Sequence, residues 1–457
     1  MQRFKHLLTS IDMTEGEPWK KLLLFTIPLL VGNLFQQLYN TADAIILGRF
    51  VGDDALAAVG SSIPVFFLLL VLLMGVAIGA GIMVSQYYGA KQKEELSYTI
   101  GTSITLITIL GLIMMIFGPL GTRPLLILLD TPIEILDDSA MYMNILLWGV
   151  LGMAYFNILS GILRGLGDSF SPLIYLTIAC LLNIVFNIIF IIVLDMGVLG
   201  AAIGTVIAQS LSSILCFRRL LQMRDVFNVN MYYLWPKKKY IIQILKLGIP
   251  TGASQVIFVL AMMVVQPLVN DFGRLFIAAY VVIMRIDGFV MMPNFSFGNA
   301  ITVYTGQNIG AGKVDRIGKG VKQCTIMAAG TAFVMVGLIL IFGQYIAGAF
   351  TTTQEVVDTS IRMIWILAFG YVAFAVNMVM WGTIRGAGDA ISPLWAALIN
   401  TVVIRLPTAF LFVHWMGRPE ALMYSLLLSW IFNTILGIIV YRFGKWRNKG
   451  IVKHESV

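Results

Sequence analysis

Charged residues are scarce in this sequence: Asp, Glu, Lys and Arg together make up 12 % of its 457 residues. Soluble globular chains carry about 25 %, so the polar surface available is too small to cover a water-soluble body of this length. Apolar runs of about 20 residues recur throughout, and each is long enough to cross a hydrocarbon core. The runs are continuous rather than alternating, which predicts membrane-spanning helices and excludes a barrel.

Residue types that carry enzyme chemistry are also few. No CxxC motif or Cys/His cluster is present, which argues against a metal site, a disulfide framework and a histidine-based catalytic centre. The cysteines and histidines are widely spread, at Cys180, Cys216, Cys324, His6, His414 and His454. The GxxxxGK[ST] motif of ATP-driven pumps is absent from this sequence. We therefore expect neither an enzyme nor a bound cofactor. Of the functions open to a membrane protein, an intramembrane enzyme has the least support in this sequence.

The positive charges indicate how the chain is oriented in the membrane. Of the 31 Lys and Arg residues, 24 fall in segments that are cytoplasmic if both termini are cytoplasmic, and four fall in outside loops. This asymmetry follows the positive-inside rule and removes the reason to expect nucleic-acid binding. We expect a multi-pass protein of the plasma (inner) membrane. Its predicted parts are a cytoplasmic N-terminal segment (1–18), an N-terminal lobe (19–217), a cytoplasmic linker (218–241), a C-terminal lobe (242–441) and a cytoplasmic tail (442–457).

An internal repeat relates the two lobes. ILRGLGDSFSPL (162–173) and TIRGAGDAISPL (383–394) match at seven of twelve positions with an offset of 221 residues. The same offset aligns Gln86 with Gln307, and Pro28 aligns with Pro250 at an offset of 222. Because six is an even number, each lobe begins and ends on the same side of the membrane. Both lobes therefore enter the membrane in the same direction. The repeat predicts twelve helices in two lobes related by a pseudo-twofold axis along the membrane normal, with substrate bound between them.

The two RGxGDxxSPL copies, together with TADAIILGRFVG (41–52), QYYGAK (86–91) and QNIGAGK (307–313), resemble the multidrug and toxic compound extrusion (MATE) family. The resemblance implies a monomeric secondary exporter, surrounded by membrane lipid, that moves small organic cationic or amphipathic molecules in exchange for H⁺ or Na⁺. A lipid-linked precursor flippase of the wider superfamily is the alternative. Such flippases line their cavity with several basic residues, whereas only Arg285 and Arg405 are available here.

Each RGxGD motif places an arginine and an aspartate four residues apart at a helix end. We expect Arg164 to pair with Asp168, and Arg385 with Asp389, so that each pair ties one span to the next. The glycines allow a tight reversal, and a proline opens the following helix. We favour this role as a structural hinge over contact with substrate.

Asp43 is the acid of the N-terminal half that lies well inside a span, where ionisable groups are costly and functional by default. Asn33, Gln36, Asn40 and Asp43 recur at helical spacing and form a polar stripe. The stripe is expected to face a water-accessible cavity, with Gln36 and Asn40 as candidate substrate contacts. The alternative is that these amides hold neighbouring helices together.

The resemblance implies a cation-coupling site made of Asp43, Asn157, Asn183, Asn187 and Thr205. In the MATE branch with its site in the N-terminal half, a second aspartate usually occupies the position of Asn187. This chain therefore has one carboxylate there, which leaves the choice between H⁺ and Na⁺ open. The acids that the other branch carries in its seventh and tenth spans are missing from this sequence.

The eighth span, together with Gln255 of the seventh, supplies the candidate substrate contacts of the C-terminal half. Arg285 and Asp287 are two residues apart, lie on nearly opposite faces of a helix and need separate partners. Two readings stay open for them: anchoring of the span, and a part in coupling or substrate contact. Flexible methionines suit a pocket that adapts to varied ligands, although methionine is also common in membrane helices. The predicted contacts are Gln255, Met284, Arg285, Asp287 and Met291.

Overall fold

A computed structural model describes residues 10–228 and 230–452, and within these ranges the chain forms helices and no strands. The predicted all-α membrane architecture is confirmed. Three cations predicted to be cytoplasmic and two of the histidines lie outside the described residues: Arg3, Lys5, Lys453, His6 and His454.

The helices of the described chain follow one another through short connections, except at the central linker. Before the linker come α1 (Pro18–Phe50), α2 (Asp53–Gly89), α3 (Lys93–Leu128), α4 (Ile133–Trp148), α5 (Val150–Gly165), α6 (Phe170–Asn187) and α7 (Gly197–Leu221). After it come α8 (Lys238–Asp271), α9 (Arg274–Gly310), α10 (Val314–Gly348), α11 (Gln354–Gly386), α12 (Ile391–Ile399), α13 (Leu406–Met416) and α14 (Glu420–Phe443). Short π-helical and 3-10 segments complete the described structure: Ile188–Val193, Asn400–Arg405, Met231–Leu234 and Trp446–Asn448.

Eleven helical segments of the described chain are long and apolar enough to cross a membrane, and the pair α4–α5 would make a twelfth. That pair is bent by 53°. The bend falls at Gly149, where an added Cβ would collide with the side chain of Val206. The fourth of the twelve predicted spans is thus two helices joined at a glycine, and the other predicted spans correspond to the observed helical segments.

The sequence repeat reappears as a repeated helix crossing inside each half. α2 crosses α5 where a Cβ added to Gly161 would lie 2.8 Å from the carbonyl oxygen of Ala77. α9 crosses α11 where a Cβ added to Gly382 would collide with the carbonyl oxygen of Gly298. Both residues of the first contact are 221 positions from their counterparts in the second. Both halves therefore use the same close backbone contact, which requires glycine.

The described chain divides into two compact units whose limits differ from those of the predicted lobes. Among the described residues, unit 1 contains residues 10–12 and Ile27–Gly252, and unit 2 contains Met13–Thr26 and residues 253–452. Two helices, α1 and α8, therefore contribute their first part to one unit and the remainder to the other. The lobe boundaries read from the sequence stay a prediction about topology.

Local contacts explain why α1 and α8 are divided in this way. The first part of α8 packs in unit 1 because glycine lets two backbones approach: a Cβ added to Gly79 would lie 2.7 Å from the carbonyl oxygen of Ile244. The first part of α1 is fixed in unit 2, where the backbone N–H of Trp19 donates to Oε1 of Gln323 at 3.0 Å. Sequence patterns predicted both helices but not which unit each end joins.

Candidate cation site

Asp43 lies in the last third of α1 and is buried, with 9 % of its surface exposed. Its carboxylate accepts a hydrogen bond from Nδ2 of Asn187 at 2.5 Å. No ion pair to Asp43 is present among the described residues. A buried carboxylate is costly unless its charge is compensated, and the neutral Asn187 amide supplies no opposite charge.

A chain of hydrogen bonds leads from this carboxylate into the rest of unit 1. The second N–H of the Asn187 amide donates to Oδ1 of Asn183 at 2.8 Å. Nδ2 of Asn183 donates to Oγ1 of Thr205 at 3.2 Å, and Thr205 shares a hydrogen bond of 3.2 Å with the hydroxyl of Tyr39. Three helices, α1, α6 and α7, therefore contribute side chains to one polar cluster inside an otherwise apolar bundle.

Helical spacing explains why these residues meet. Asn183 and Asn187 are one turn apart in α6 and share a face, as do Tyr39 and Asp43 in α1. α7 approaches through Gly204, where an added Cβ would lie 2.7 Å from Oδ1 of Asn187. Glycine at this position therefore makes room for the Asn187 amide next to Asp43.

The cluster contains two carboxylate, two amide and two hydroxyl oxygen atoms. Oδ1 of Asn187 is buried and has no hydrogen-bond partner, although it lies in the same side chain that binds Asp43. Tyr39, Asn183 and Thr205 also line a cavity of about 10 Å³, near the lower limit for holding one water molecule. Carboxylate, amide and hydroxyl oxygens are the ligands of hard cations. The cluster therefore has the chemistry to hold a small cation or to exchange a proton.

Four of the five residues predicted for this site lie in the cluster, and Asn157 does not take part in its hydrogen bonds. Nδ2 of Asn157 donates to the carbonyl oxygen of Met153, one turn earlier in α5. Gln36 and Asn40 of the polar stripe are exposed, so they are not buried amides that hold helices together. Their predicted contact with substrate stays a prediction.

The predicted pairing of Arg164 with Asp168 is wrong. Asp168 instead accepts from Nε of Arg219 at 2.9 Å, and also from the backbone and hydroxyl of Ser171. The helix ends at Gly165, and Gly167 adopts a φ of +87°, so the four-residue spacing no longer places the two side chains on one helical face. Arg164 forms no ion pair among the described residues.

The second copy of the motif has the same turn without the arginine partner. Asp389 accepts from the backbone of Ser392 at 3.1 Å and from its hydroxyl at 2.7 Å. Gly388 has a φ of +99°, and no ion pair joins Arg385 to Asp389 in the described chain. The predicted pairing is wrong here for the same reason, and the hinge role of both turns stays a prediction.

In unit 2 the structure separates the eighth-span residues as their spacing predicts. Asp287 is buried and accepts a hydrogen bond from the hydroxyl of Tyr371, while Arg285 is exposed. The partner of Asp287 is therefore the phenol hydroxyl of a residue in α11. Met284 and Met291 are partly buried and pack against the hydrophobic core of this unit. Gln255 is exposed.

Several residues of these clusters were not identified by sequence reasoning. Tyr39 and Tyr371 resemble ordinary packing residues of apolar helices, and Gly204 belongs to a glycine-rich run typical of close helix contact. Arg219 was counted only as one of the cytoplasmic charges. A tyrosine one turn before Asp43 was the one available signal, because residues four apart share a helical face.

Comparisons with known proteins agree with this architecture. The chain is 29 % identical to the probable multidrug resistance protein YoeA of Bacillus subtilis, with 99 % of each chain covered. It is 24 % identical to the multidrug export protein MepA of Staphylococcus aureus, with 90 % of each covered. A solved structure described as the outward-facing conformation of a multidrug resistance MATE family transporter has a TM-score of 0.89 and 25 % identity. It covers 95 % of this chain and 97 % of its own.

The family profile described as MatE matches this chain twice, at residues 28–189 and 250–411. The first match contains Asp43 and Asn187, and the second contains Asp287 and Arg405. The two matches begin 222 residues apart, which agrees with the internal repeat. The matched residues are more than half of the sequence, and this chain belongs to the MatE family of multi-pass membrane transporters.

Proposed function

We propose that this chain exports small organic molecules, cationic or amphipathic, by antiport with H⁺ or Na⁺, and that the coupling ion binds at Asp43. The observation that carries the proposal is a buried carboxylate whose hydrogen-bond donor is a neutral amide, that of Asn187. Relatives named as multidrug resistance and multidrug export proteins support the class of substrate.

The exchange follows from competition for one negative charge. A proton or a Na⁺ ion neutralises the Asp43 carboxylate, and Asn183 and Asn187 supply further oxygen atoms to a bound ion. A cationic substrate is attracted to the same carboxylate when the ion leaves. Because one carboxylate compensates one positive charge, bound ion and bound substrate destabilise each other, and this reciprocal coupling produces antiport.

The test is efflux of a fluorescent organic cation, ethidium, from proteoliposomes with the Na⁺ and pH gradients imposed separately. Asp43→Asn keeps the shape of the side chain and removes its charge, so gradient-driven efflux should be lost. Asp54→Asn is the matched control, because Asp54 is exposed at the start of α2 and loses the same charge. Wild-type efflux by Asp43→Asn, with unchanged ion dependence, would reject the proposal and make Asp287 the next candidate.

The flippase alternative depends on basic residues that could bind a lipid-linked phosphate. Arg405 is buried with its guanidinium 5.7 Å from the ring centroid of Phe258, and Arg285 is exposed. Two arginines of such different environments do not form a basic lining. Gradient-independent movement of a fluorescent lipid-linked phosphate in the same vesicles, without ethidium efflux, would favour the flippase.

We also propose the setting in which the exporter works. It is a monomer in the plasma (inner) membrane, with both termini in the cytoplasm, and it needs no cofactor besides the transported ion. The Lys and Arg asymmetry of the sequence supports this orientation. Protease digestion of a C-terminal epitope tag in sealed right-side-out vesicles tests this orientation, because a cytoplasmic tag stays protected.

A further inference from the structure

The linker between the two halves packs against the side of α3. Oγ1 of Thr105 donates a hydrogen bond of 2.6 Å to the carbonyl oxygen of Leu234. One turn earlier in α3, Gly101 lies directly under the carbonyl of Tyr233, and an added Cβ would collide with it. These two contacts fix the short segment Met231–Trp235, here called the linker turn, against α3.

The depth of these contacts along α3 is informative. The helix begins at Lys93 and rises about 1.5 Å per residue, so Gly101 lies about 12 Å and Thr105 about 18 Å from its start. The charged residues near this end of α3 are its first three, Lys93, Glu94 and Glu95. The linker turn therefore reaches past the charged end of the helix, alongside the part that is apolar enough to enter a membrane.

Three large apolar or aromatic side chains of the linker turn are mostly exposed, although the ring of Tyr232 also packs edge-on against Tyr98 with the centroids 5.9 Å apart. Met231 is 82 % exposed, Tyr232 is 62 % exposed and Trp235 is 78 % exposed. Tyrosine and tryptophan are enriched where a protein meets the membrane–water interface, because one end of each ring system is apolar and the other is polar. Trp235 directly follows Leu234, whose carbonyl oxygen contacts Thr105, whereas the ring of Tyr232 lies at the level of Tyr98.

The lysines that follow lie nearer the charged end of α3. Nζ of Lys237 sits 3.4 Å from the ring centroid of Tyr98, and Lys239 pairs with Glu95 at 3.0 Å. Lys238 is exposed and forms no ion pair within the described residues. Trp235 thus follows the deepest contact of the linker turn, at Thr105, and the positive charges lie about two to three turns closer to the helix start, beside Tyr98 and Glu95.

We propose that the linker turn and the adjacent Lys237 and Lys238 form a binding surface for an anionic phospholipid. The two lysines attract the headgroup phosphate, Tyr232 lies at the level of Lys237 beside Tyr98, and Trp235 lies nearer the hydrocarbon. A soluble anion would use the lysines but not the aromatic side chains. The order of Trp235 and the lysines along α3 matches the order of acyl chains and headgroups at a bilayer surface.

The experiment counts lipids bound to the detergent-solubilised full-length protein by native mass spectrometry. Dioleoyl phosphatidylglycerol is titrated against the wild type and against Lys237→Gln/Lys238→Gln. Affinity should fall about fivefold for each lysine lost, the effect expected of a basic residue next to an anionic surface. Lys237→Arg/Lys238→Arg should keep the wild-type affinity, and Tyr232→Ala/Trp235→Ala should lower it several-fold.

Lys445→Gln/Lys449→Gln is the matched control. It removes the same charge from exposed residues that flank Trp446, a tryptophan that is buried. An equal loss of affinity in this control would overturn the proposal, because net charge alone would then explain binding. So would equal binding of phosphatidylcholine, or displacement of the lipid by inorganic phosphate at constant ionic strength. Each variant is first matched to the wild type in melting temperature.

Discussion

The side-chain amide of Asn187 donates to the Asp43 carboxylate at 2.5 Å, while its own oxygen is buried without a hydrogen-bond partner. Asn187 therefore compensates part of the charge of Asp43 and leaves an acceptor unsatisfied. A bound cation could contact both oxygens, whereas a proton would satisfy Asp43 alone.

Asn187→Asp removes the amide donor and places a second carboxylate against Asp43. Two carboxylates this close cannot both stay charged without a shared proton or cation. We expect the variant to gain more thermal stability than the wild type from added Na⁺ or from acidification, and to show a steeper dependence of efflux on the ion. Melting temperatures in Na⁺ and in choline at several pH values measure this. Identical ion responses in variant and wild type would contradict it.

Asn183→Ala should weaken ion coupling more than Asn157→Ala. Asn183 links Asn187 to Thr205 by two hydrogen bonds, whereas Asn157 donates within its own helix. Loss of Asn183 leaves one N–H of the buried Asn187 amide without an acceptor and removes one donor to the Thr205 hydroxyl, which costs about 1–3 kcal/mol. Ethidium efflux as a function of the imposed ion gradient compares the two variants. Should Asn157→Ala prove the more damaging, Asn157 must reach the site in another conformation.

Gly204→Ala should impair coupling without changing any charge. Its Cβ would lie 2.7 Å from Oδ1 of Asn187, so the amide must move away from Asp43. Overpacking of this kind costs about 1–3 kcal/mol. Gly60→Ala is the control: no atom lies within 4 Å of its added Cβ, and alanine favours the helix by about 1 kcal/mol. Thermal unfolding and efflux should separate the two variants; equal behaviour would show that the space beside Asn187 is unimportant.

Arg219→Gln should destabilise unit 1 more than Arg164→Gln. Arg219 pairs with Asp168, whose side chain is 1 % exposed, and breaking a buried pair leaves an uncompensated charge. Ser171 still donates to Asp168, so we expect about 3 kcal/mol, the low end for such a change. Asp168→Asn in the Arg219→Gln background should recover part of the loss. Unfolding by denaturant measures all three, and a larger effect of Arg164→Gln would reject this assignment.

The positions of the spans were predictable because each is a long apolar run, and the repeat was predictable because both RGxGD motifs survive in full. Side-chain contacts between helices that are distant in the sequence were less predictable. Arg219 is 51 residues from Asp168 in the sequence, and nothing in its local pattern distinguishes it from other cations of the linker. After α5 ends, Gly167 adopts a positive φ, and the turn it makes separates Asp168 from Arg164. The four-residue spacing alone predicted the wrong partner for Asp168.

The candidate site was predictable in part. Asp43 stands out because a carboxylate inside a span is costly, and the family resemblance added Asn183, Asn187 and Thr205. Tyr39 and Gly204 were missed because their contribution depends on how α1 and α7 approach α6. Such an approach is set by tertiary packing, which a single sequence does not encode as a local pattern.

The division of α1 between the two compact units has a consequence for biosynthesis. Residues 13–26 belong to unit 2 and leave the ribosome early, whereas the remainder of that unit begins at Ala253. At 5–20 residues per second, about 230 residues of translation separate them by roughly 10–50 s. During that interval the start of α1 has no final packing partner. The first half of the chain can therefore be inserted in the membrane before the second unit can be completed.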